Sequence, residues 1–238
     1  MNILVITDNL ILYKGMMDIL EEPIYKGYEF HFFCSNDSPL LSNKGIKPIV
    51  VKDSVNFICD NYQLLLSLHC KQLFPKSLVN KVRCINVHPG YNPYNRGWYP
   101  QVFSIINKLP VGATIHEIDE ELDHGPIIVQ EEVPVFAWDT SLDVYNRVVE
   151  LELKLLNQHL LSLLRRDYST HIPSHSGNLN LKKNFKDLCF IDQEEFLKVE
   201  VLIDKLRALS HGDFKNAYFI DKTTNKKVYI KIDLKLGE

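Results

Sequence analysis

An amide and an imidazole stand two residues apart at Asn86 and His88, after the apolar stretch Val82–Ile85 and before Pro89 and Gly90. Residues i and i+2 of a strand point to one face, so the two side chains project together if Val82–Val87 is a strand. Pro89 and Gly90 then end that strand at its carboxyl side. Pro89, Pro93 and Pro100 make the loop beyond it stiff and shaped. A hydrogen-bond donor beside a titratable base suits acyl or formyl transfer.

A second signal lies 35 residues beyond His88, where Gly112, Thr114 and His116 precede Asp119–Asp123, His124 and Gly125. Asp123 falls in a loop between two expected strands, and Gly125 allows close backbone approach there. Asn86, His88 and Asp123 then supply a donor, a base and an orienting carboxylate. Alone, an Asp-x-Gly is ordinarily a turn and an Asn-x-His pair says little; at successive strand ends they form a constellation. His116, Glu117, Asp119, Glu120, Glu121, Asp123 and His124 also crowd together, but they lack an H-E-x-x-H or C-x-x-C frame. No metal is expected.

The elements that must hold these residues alternate. Asn2–Thr7, Phe30–Cys34, Pro48–Val51 and Gln63–Leu68 are apolar runs that suit strands covered on both faces. Pro75–Val79 opens like a short helix with proline in its first turn. A helix over Pro100–Asn107 and strands at Ala113–Ile118 and Pro126–Val135 follow. The pattern predicts an α/β fold with a mostly parallel, Rossmann-like sheet and its site at the carboxyl ends of the strands. From Thr140, leucines and valines recur at helical spacing to about Leu164 and mark one buried face. His171–Asn180 reads as a connecting loop, so residues 1–180 are expected to form the catalytic domain. Residues 181–238 read as an appendage of helix and β-hairpin, with Asp192 and Glu195 placed to cap a helix. Val201–Leu209 continues helically, and Ala217–Ile220 pairs with Lys227–Ile232 around a turn at Asp221–Lys226.

Composition narrows the class. The chain has 238 residues, 45% apolar and 24% charged, with net charge −3. That is ordinary for a globular protein with a real core, and it gives no reason to expect nucleic acid or a membrane as partner. The five cysteines form no C-x-x-C pair, which argues against a disulfide framework and for a reducing cytoplasm. The apolar run Ile3–Ile6 is too short for a signal peptide or a membrane span. A cytoplasmic protein is expected.

The ordered motifs Asn86-x-His88-Pro89, Pro93-x-x-Arg96-Gly97-x-x-Pro100, Gly112-x-Thr114-x-His116 and Leu122-Asp123-x-Gly125-x-Ile127 resemble those of the folate-dependent formyltransferases. The resemblance is dense over about residues 60–135. It implies N10-formyltetrahydrofolate as donor and Asn86, His88 and Asp123 as the catalytic triad. His88 would take the proton of the attacking amine, Asn86 would stabilise the oxyanion, and Asp123 would hold His88. It further implies that the backbone of Lys71, Gln72 and Leu73 holds the pterin. Glu120, Glu121 and Leu122 would lie in the opposite wall; Phe74 suits the core better.

Among the family's acceptors, glycinamide ribonucleotide is bound through a glycine-rich phosphate loop after the first strand. Here that segment is Thr7–Leu12, without glycine. The tRNA-directed members carry a longer, basic C-terminal domain, which this acidic chain lacks. Ser67–Pro75, Trp98-Tyr99-Pro100, Leu206–Gly212 and Asn216–Phe219 resemble the sugar N-formyltransferases, above all those acting on dTDP-4-amino-4,6-dideoxyglucose for O-antigen (lipopolysaccharide) and related glycans. That likeness implies a nucleotide sugar held by Trp98, Tyr99, Arg207, Asn216, Tyr218 and Phe219. It also implies a homodimer through the hairpin bearing Tyr229, Ile230 and Ile232. Three alternatives stay open: a 3-amino sugar nucleotide, glycinamide ribonucleotide, or a non-catalytic module that binds nucleotide sugars.

Overall fold

A computed structural model describes residues 1–42 and 46–237. Strand β1 is Asn2–Thr7, buried from Ile3 onward, as befits a strand with helices on both faces. Helix α1 (Leu10–Leu20) starts at Asn9, whose Oδ1 accepts the amides of Ile11 and Leu12 at 2.9 and 3.1 Å. Strands β2 (Glu29–Cys34) and β3 (Lys47–Pro48), helix α2 (Val55–Asn61), strand β4 (Leu64–Leu68) and helix α3 (Lys76–Val79) follow. Strands β5 (Arg83–His88) and β6 (Arg96–Gly97), helix α4 (Pro100–Asn107), strands β7 (Gly112–Glu117) and β8 (Ile127–Glu132) and helix α5 (Ser141–Arg165) come next. The chain continues through β9 (Leu179–Asn180), α6 (Lys182–Cys189), α7 (Val199–Leu209), β10 (Tyr218–Ile220) and β11 (Lys227–Tyr229).

The main sheet runs β3-β2-β1-β4-β5-β7-β8. Its first five strands are parallel, and β7 and β8 are antiparallel to their neighbours. The chain leaves β1 toward β2 on one side and returns to β4 on the other, so the strand order reverses between β1 and β4. In open α/β sheets the crevice outside the carboxyl ends at such a reversal receives ligands.

The α/β alternation expected from the sequence is thus the one observed, with differences at the edges. The run expected as a strand at Pro48–Val51 pairs only at Lys47–Pro48, and Val51–Asp53 turns into a 3-10 helix. The strand expected to reach Val135 stops at Glu132, just ahead of Pro134, which has no amide to give the ladder. Asp192 caps a turn rather than a helix, its Oδ1 accepting the Glu194 amide at 2.9 Å; α7 begins at Val199. Helix α6 carried no sequence signal, being short, lysine-rich and buried only at Cys189.

Helix α5 buries Val144, Val148, Val149, Leu151, Leu155, Leu156, Leu160, Leu163 and Leu164, together with one carboxylate, Glu152. Its face closes the larger apolar core on β1, β4, β5 and β7. Cys189, Ile191, Ala208, Leu209 and Ala217 of the C-terminal segment join that same core. The opposite sheet face packs Leu4, Ile6, Leu65 and Cys84 against Ile58, Leu78 and Val82. No helix among the described residues is long and apolar enough to cross a membrane.

Candidate active site

His88 is the last residue of β5, and β7 runs antiparallel beside it with Asn86 opposite His116 and His88 opposite Thr114. Two i, i+2 pairs on neighbouring strands therefore face each other on one side of the sheet. His88, Thr114 and His116 are all buried.

The loop after β7 brings the carboxylate. Asp123 adopts a left-handed backbone, φ +49°. Its Oδ2 accepts the Gly97 amide at 3.1 Å, and its carbonyl accepts Asn92 Nδ2 at 2.9 Å. Arg96 Nη1 donates to the Leu122 carbonyl at 3.2 Å. The proline-rich loop in turn hangs on Thr114, whose hydroxyl donates to the Gly90 carbonyl at 2.7 Å and accepts the Asn92 amide at 3.1 Å. Gly125 is required on steric grounds, since a Cβ there would lie 1.8 Å from the Glu117 carbonyl oxygen. Pairing of β6 with β9 and the bond from the Trp98 amide to the Asn180 carbonyl (2.8 Å) pin the loop's far end.

Asp123 Oδ1 is where the three groups meet. Asn86 Nδ2 donates to it at 3.1 Å, and His88 Nδ1 lies 3.6 Å away. His116 Nδ1 is 2.7 Å from the Glu117 carbonyl, which places its proton there and leaves Nε2 as an acceptor for Asn86 Nδ2 at 3.3 Å. Both hydrogens of the Asn86 amide are thereby oriented. Among the described residues His88 Nε2 is buried without a partner, directly over Gly90, where a Cβ would lie 2.5 Å from it.

Burial holds the His88 pKa below 6.5, outweighing the opposing pull of Asp123. His69 and Arg96 push it the same way as burial. Burial likewise drops His116 to about 4. Both rings are therefore neutral near pH 7. A neutral base with an unfilled lone pair, an oriented amide donor and a partly buried carboxylate can accept a proton and stabilise a developing oxyanion.

The structure thus brings Asn86, His88 and Asp123 together, and adds His116, Thr114, Asn92 and the Gly97 amide. Thr114 and His116 had a sequence signal in their own i, i+2 spacing, but their pairing with Asn86 and His88 needs the strand register.

The segment after β4 is fixed from behind. Gln72 Nε2 donates to Ser35 Oγ (3.1 Å) and the Ile49 carbonyl (2.9 Å), and its Oε1 accepts the Val51 amide (2.9 Å). The Lys71 amide bonds Asp8 Oδ2 at 3.1 Å. Leu73 is 73% exposed, and its backbone amide and carbonyl have no hydrogen-bond partner among the described residues. Lys76 pairs with Glu120 at 2.5 Å, tying this segment to the loop that holds Glu121 and Leu122.

The residues assigned to the nucleotide sugar scatter. Arg207 donates to the carbonyls of Phe136 and Asp139 (both 3.0 Å) and to Asp204 (2.7 Å), so its charge is committed to the fold rather than free for a pyrophosphate. Asn216 Nδ2 caps the carbonyl of Leu209 at 3.0 Å. Tyr218 is flanked by Phe190 and Tyr229 and covered by the Lys227 ammonium 3.9 Å from its ring centre, while Phe219 packs on the larger core. Tyr99 stacks on Phe185 of α6 with centroids 4.1 Å apart, and Lys182 sits 3.8 Å over Trp98.

A base, an amide and a carboxylate converging at the end of a parallel sheet define a group-transfer site. The family model described as formyl transferase matches residues 59–160, and that for the N-formyltransferase dimerization C-terminal domain matches residues 184–236. The dTDP-4-amino-4,6-dideoxyglucose formyltransferase of Mycobacterium tuberculosis is 42% identical over 238 residues, spanning 98% of this chain and 97% of the relative. A sugar N-formyltransferase from a Shewanella species superposes with TM-score 0.96 at 44% identity, over 100% of this chain and 99% of that one. A 4-N formyltransferase from Francisella tularensis does so at 0.93 and 43%, over 99% and 98%. The chain belongs to the sugar N-formyltransferases of the formyltransferase family.

Proposed function

We propose that this protein transfers the formyl group of N10-formyltetrahydrofolate to the amino group of dTDP-4-amino-4,6-dideoxyglucose. The observation that carries the reading is the convergence of Asn86, His88 and Asp123 on one carboxylate oxygen, within a chain alike over its whole length to an enzyme of that activity. Folate supplies the activated one-carbon unit. The chain offers it the Leu73 backbone, held rigid by the anchored Gln72, with the Glu120–Leu122 loop as the facing wall. The free Leu73 amide and carbonyl fit the edge of a flat, polar heterocycle, and the exposed leucine fits its apolar face.

His88 Nε2 takes the proton that the acceptor nitrogen sheds as it attacks and returns it to the folate nitrogen as that nitrogen's bond to the formyl carbon breaks, while Nδ1 faces Asp123, which steadies the imidazolium. Asn86 Nδ2 redirects one hydrogen from Asp123 or His116 to the oxygen that gains charge. Burial of His88 keeps competing water from the base and strengthens its contact with Asp123. The protein acts in the cytoplasm as a homodimer through its C-terminal segment.

Incubation with N10-formyltetrahydrofolate and dTDP-4-amino-4,6-dideoxyglucose should release tetrahydrofolate and give a product heavier by one formyl group. Turnover only on a 3-amino isomer or on glycinamide ribonucleotide would refute the acceptor. No transfer to any amine would leave a nucleotide-sugar binding module.

A further inference from the structure

Asn95 stands in the proline-rich loop with a left-handed backbone, φ +50°, and is completely buried. Its amide ties that loop to two other stretches of chain. Oδ1 accepts Nδ2 of Asn107, the last residue of α4, and Nδ2 of Asn178, just ahead of β9, both at 2.8 Å. Asn180 of β9 adds a third amide at 3.3 Å. Asn95 Nδ2 donates to Ser104 Oγ of α4 at 3.1 Å, and the Asn95 backbone amide donates to Asn178 Oδ1 at 2.8 Å. Asn95 and Asn178 therefore exchange two bonds. Asn178 and Asn180 reach the loop from one side of the chain, as residues i and i+2 of an extended segment do.

A buried amide paired at both its oxygen and its nitrogen fixes one arrangement of its neighbours more sharply than an apolar contact of the same size. What Asn95 fixes is the next two residues. The Arg96 amide donates to the Asn178 carbonyl at 3.0 Å. Gly97, at φ +92°, lies so close to Asn180 that a Cβ would be 2.4 Å from its carbonyl oxygen. Those same two residues hold the Asp123 turn, the Gly97 amide on Asp123 Oδ2 (3.1 Å) and Arg96 Nη1 on the Leu122 carbonyl (3.2 Å). Asp123 Oδ1 is thereby left for Asn86 and His88. Any shift of Arg96 and Gly97 carries that oxygen with it.

We propose that Asn95 is a positioning residue for the transfer, locking Arg96 and Gly97 so that Asp123 presents Oδ1 to Asn86 and His88. The proposal rests on the reading that Asp123 serves His88 in formyl transfer. It gives the segment after α5 a part in the chemistry, through the amides of Asn178 and Asn180.

Steady-state kinetics and melting curves on the full-length protein test it. Asn95→Gly removes the amide and keeps the left-handed backbone without steric cost. Its kcat should fall about 10²-fold, the scale of a catalytic group displaced by an ångström. KM for the folate and for the nucleotide sugar should stay within about threefold of the parent, because Asp123 acts on the transition state. Asn178→Ala, a milder cut in the same knot, should lower kcat about tenfold with the same KM pattern. In an Asp123→Ala background Asn95→Gly should cost less than about threefold further, since the group it positions is gone. A folded Asn95→Gly with parental kcat would overturn the proposal, as would its full loss repeated in the Asp123→Ala background. Should Asn95→Gly not fold, parental kcat in Asn178→Ala would overturn it instead. A parental protein that formylates no amine would overturn the reading beneath it, and the positioning role with it.

Discussion

At the scale of single residues, the site works by keeping ionisable groups uncharged. His88 and His116 sit in the same buried face, and each would cost several kcal/mol to charge without full compensation. Their neutral state leaves His88 Nε2 a lone pair, as the proposed base requires, and makes His116 an acceptor that aims Asn86. Removing the base in His88→Ala should lower kcat by about 10²–10⁴-fold, the usual worth of a general base. Asp123→Ala should also lower kcat severely, since it strips Asn86 and His88 of their shared partner. A kcat within a few-fold of the parent in either variant would refute the roles given to them. His116 also links the site to stability. The unfolded chain protonates this ring near pH 6.5, while the folded protein resists until about pH 4. Its contribution is therefore complete above pH 6.5 and is lost as pH falls toward about 4. Urea midpoints measured across that interval should fall less for His116→Asn than for the parent.

At the scale of elements, β5 and β7 are the plate on which the site is mounted, and the proline-rich loop is its clamp. Thr114 bonds that loop twice from the strand, and Gly90 gives His88 the room to sit beneath it. In Gly90→Ala the new methyl would meet His88 Nε2 at 2.5 Å and displace the ring. We expect kcat to fall by more than tenfold with the thermal midpoint changed by only a few degrees, as assay and melting curve together would reveal. Equal activity with unchanged stability would mean that the ring has freedom the packing denies. The i, i+2 spacing made Asn86 and His88 legible beforehand. The cross-strand pairs were not legible, because Asn86 meets His116 only through an antiparallel register that no local pattern encodes.

At the scale of the whole molecule, the C-terminal segment is welded to the sheet by Cys189, Ile191, Ala208, Leu209 and Ala217, while its hairpin presents Val228 and Tyr229 to solvent at 40% and 46% exposure. The match of residues 184–236 to a dimerization domain gives that exposed apolar face a use. Val228→Asp combined with Tyr229→Asp should shift the protein toward monomer in sedimentation velocity and lower its thermal midpoint. An unshifted dimer would place the interface elsewhere.

Local covalent pattern alone determined the strands that bury both faces, the long helix α5, and the side-by-side placing of Asn86 and His88, because apolar period, prolines and the i, i+2 rule act over a few residues. Nucleotide contacts were another matter. Arg207 and Asn216 have the right chemistry for a phosphate and a base, yet both are consumed by backbone carbonyls of α7 and the segment ahead of α5. Only the tertiary structure decided that, since a side chain is free for a ligand only if the fold has no buried polar group of its own for it to satisfy.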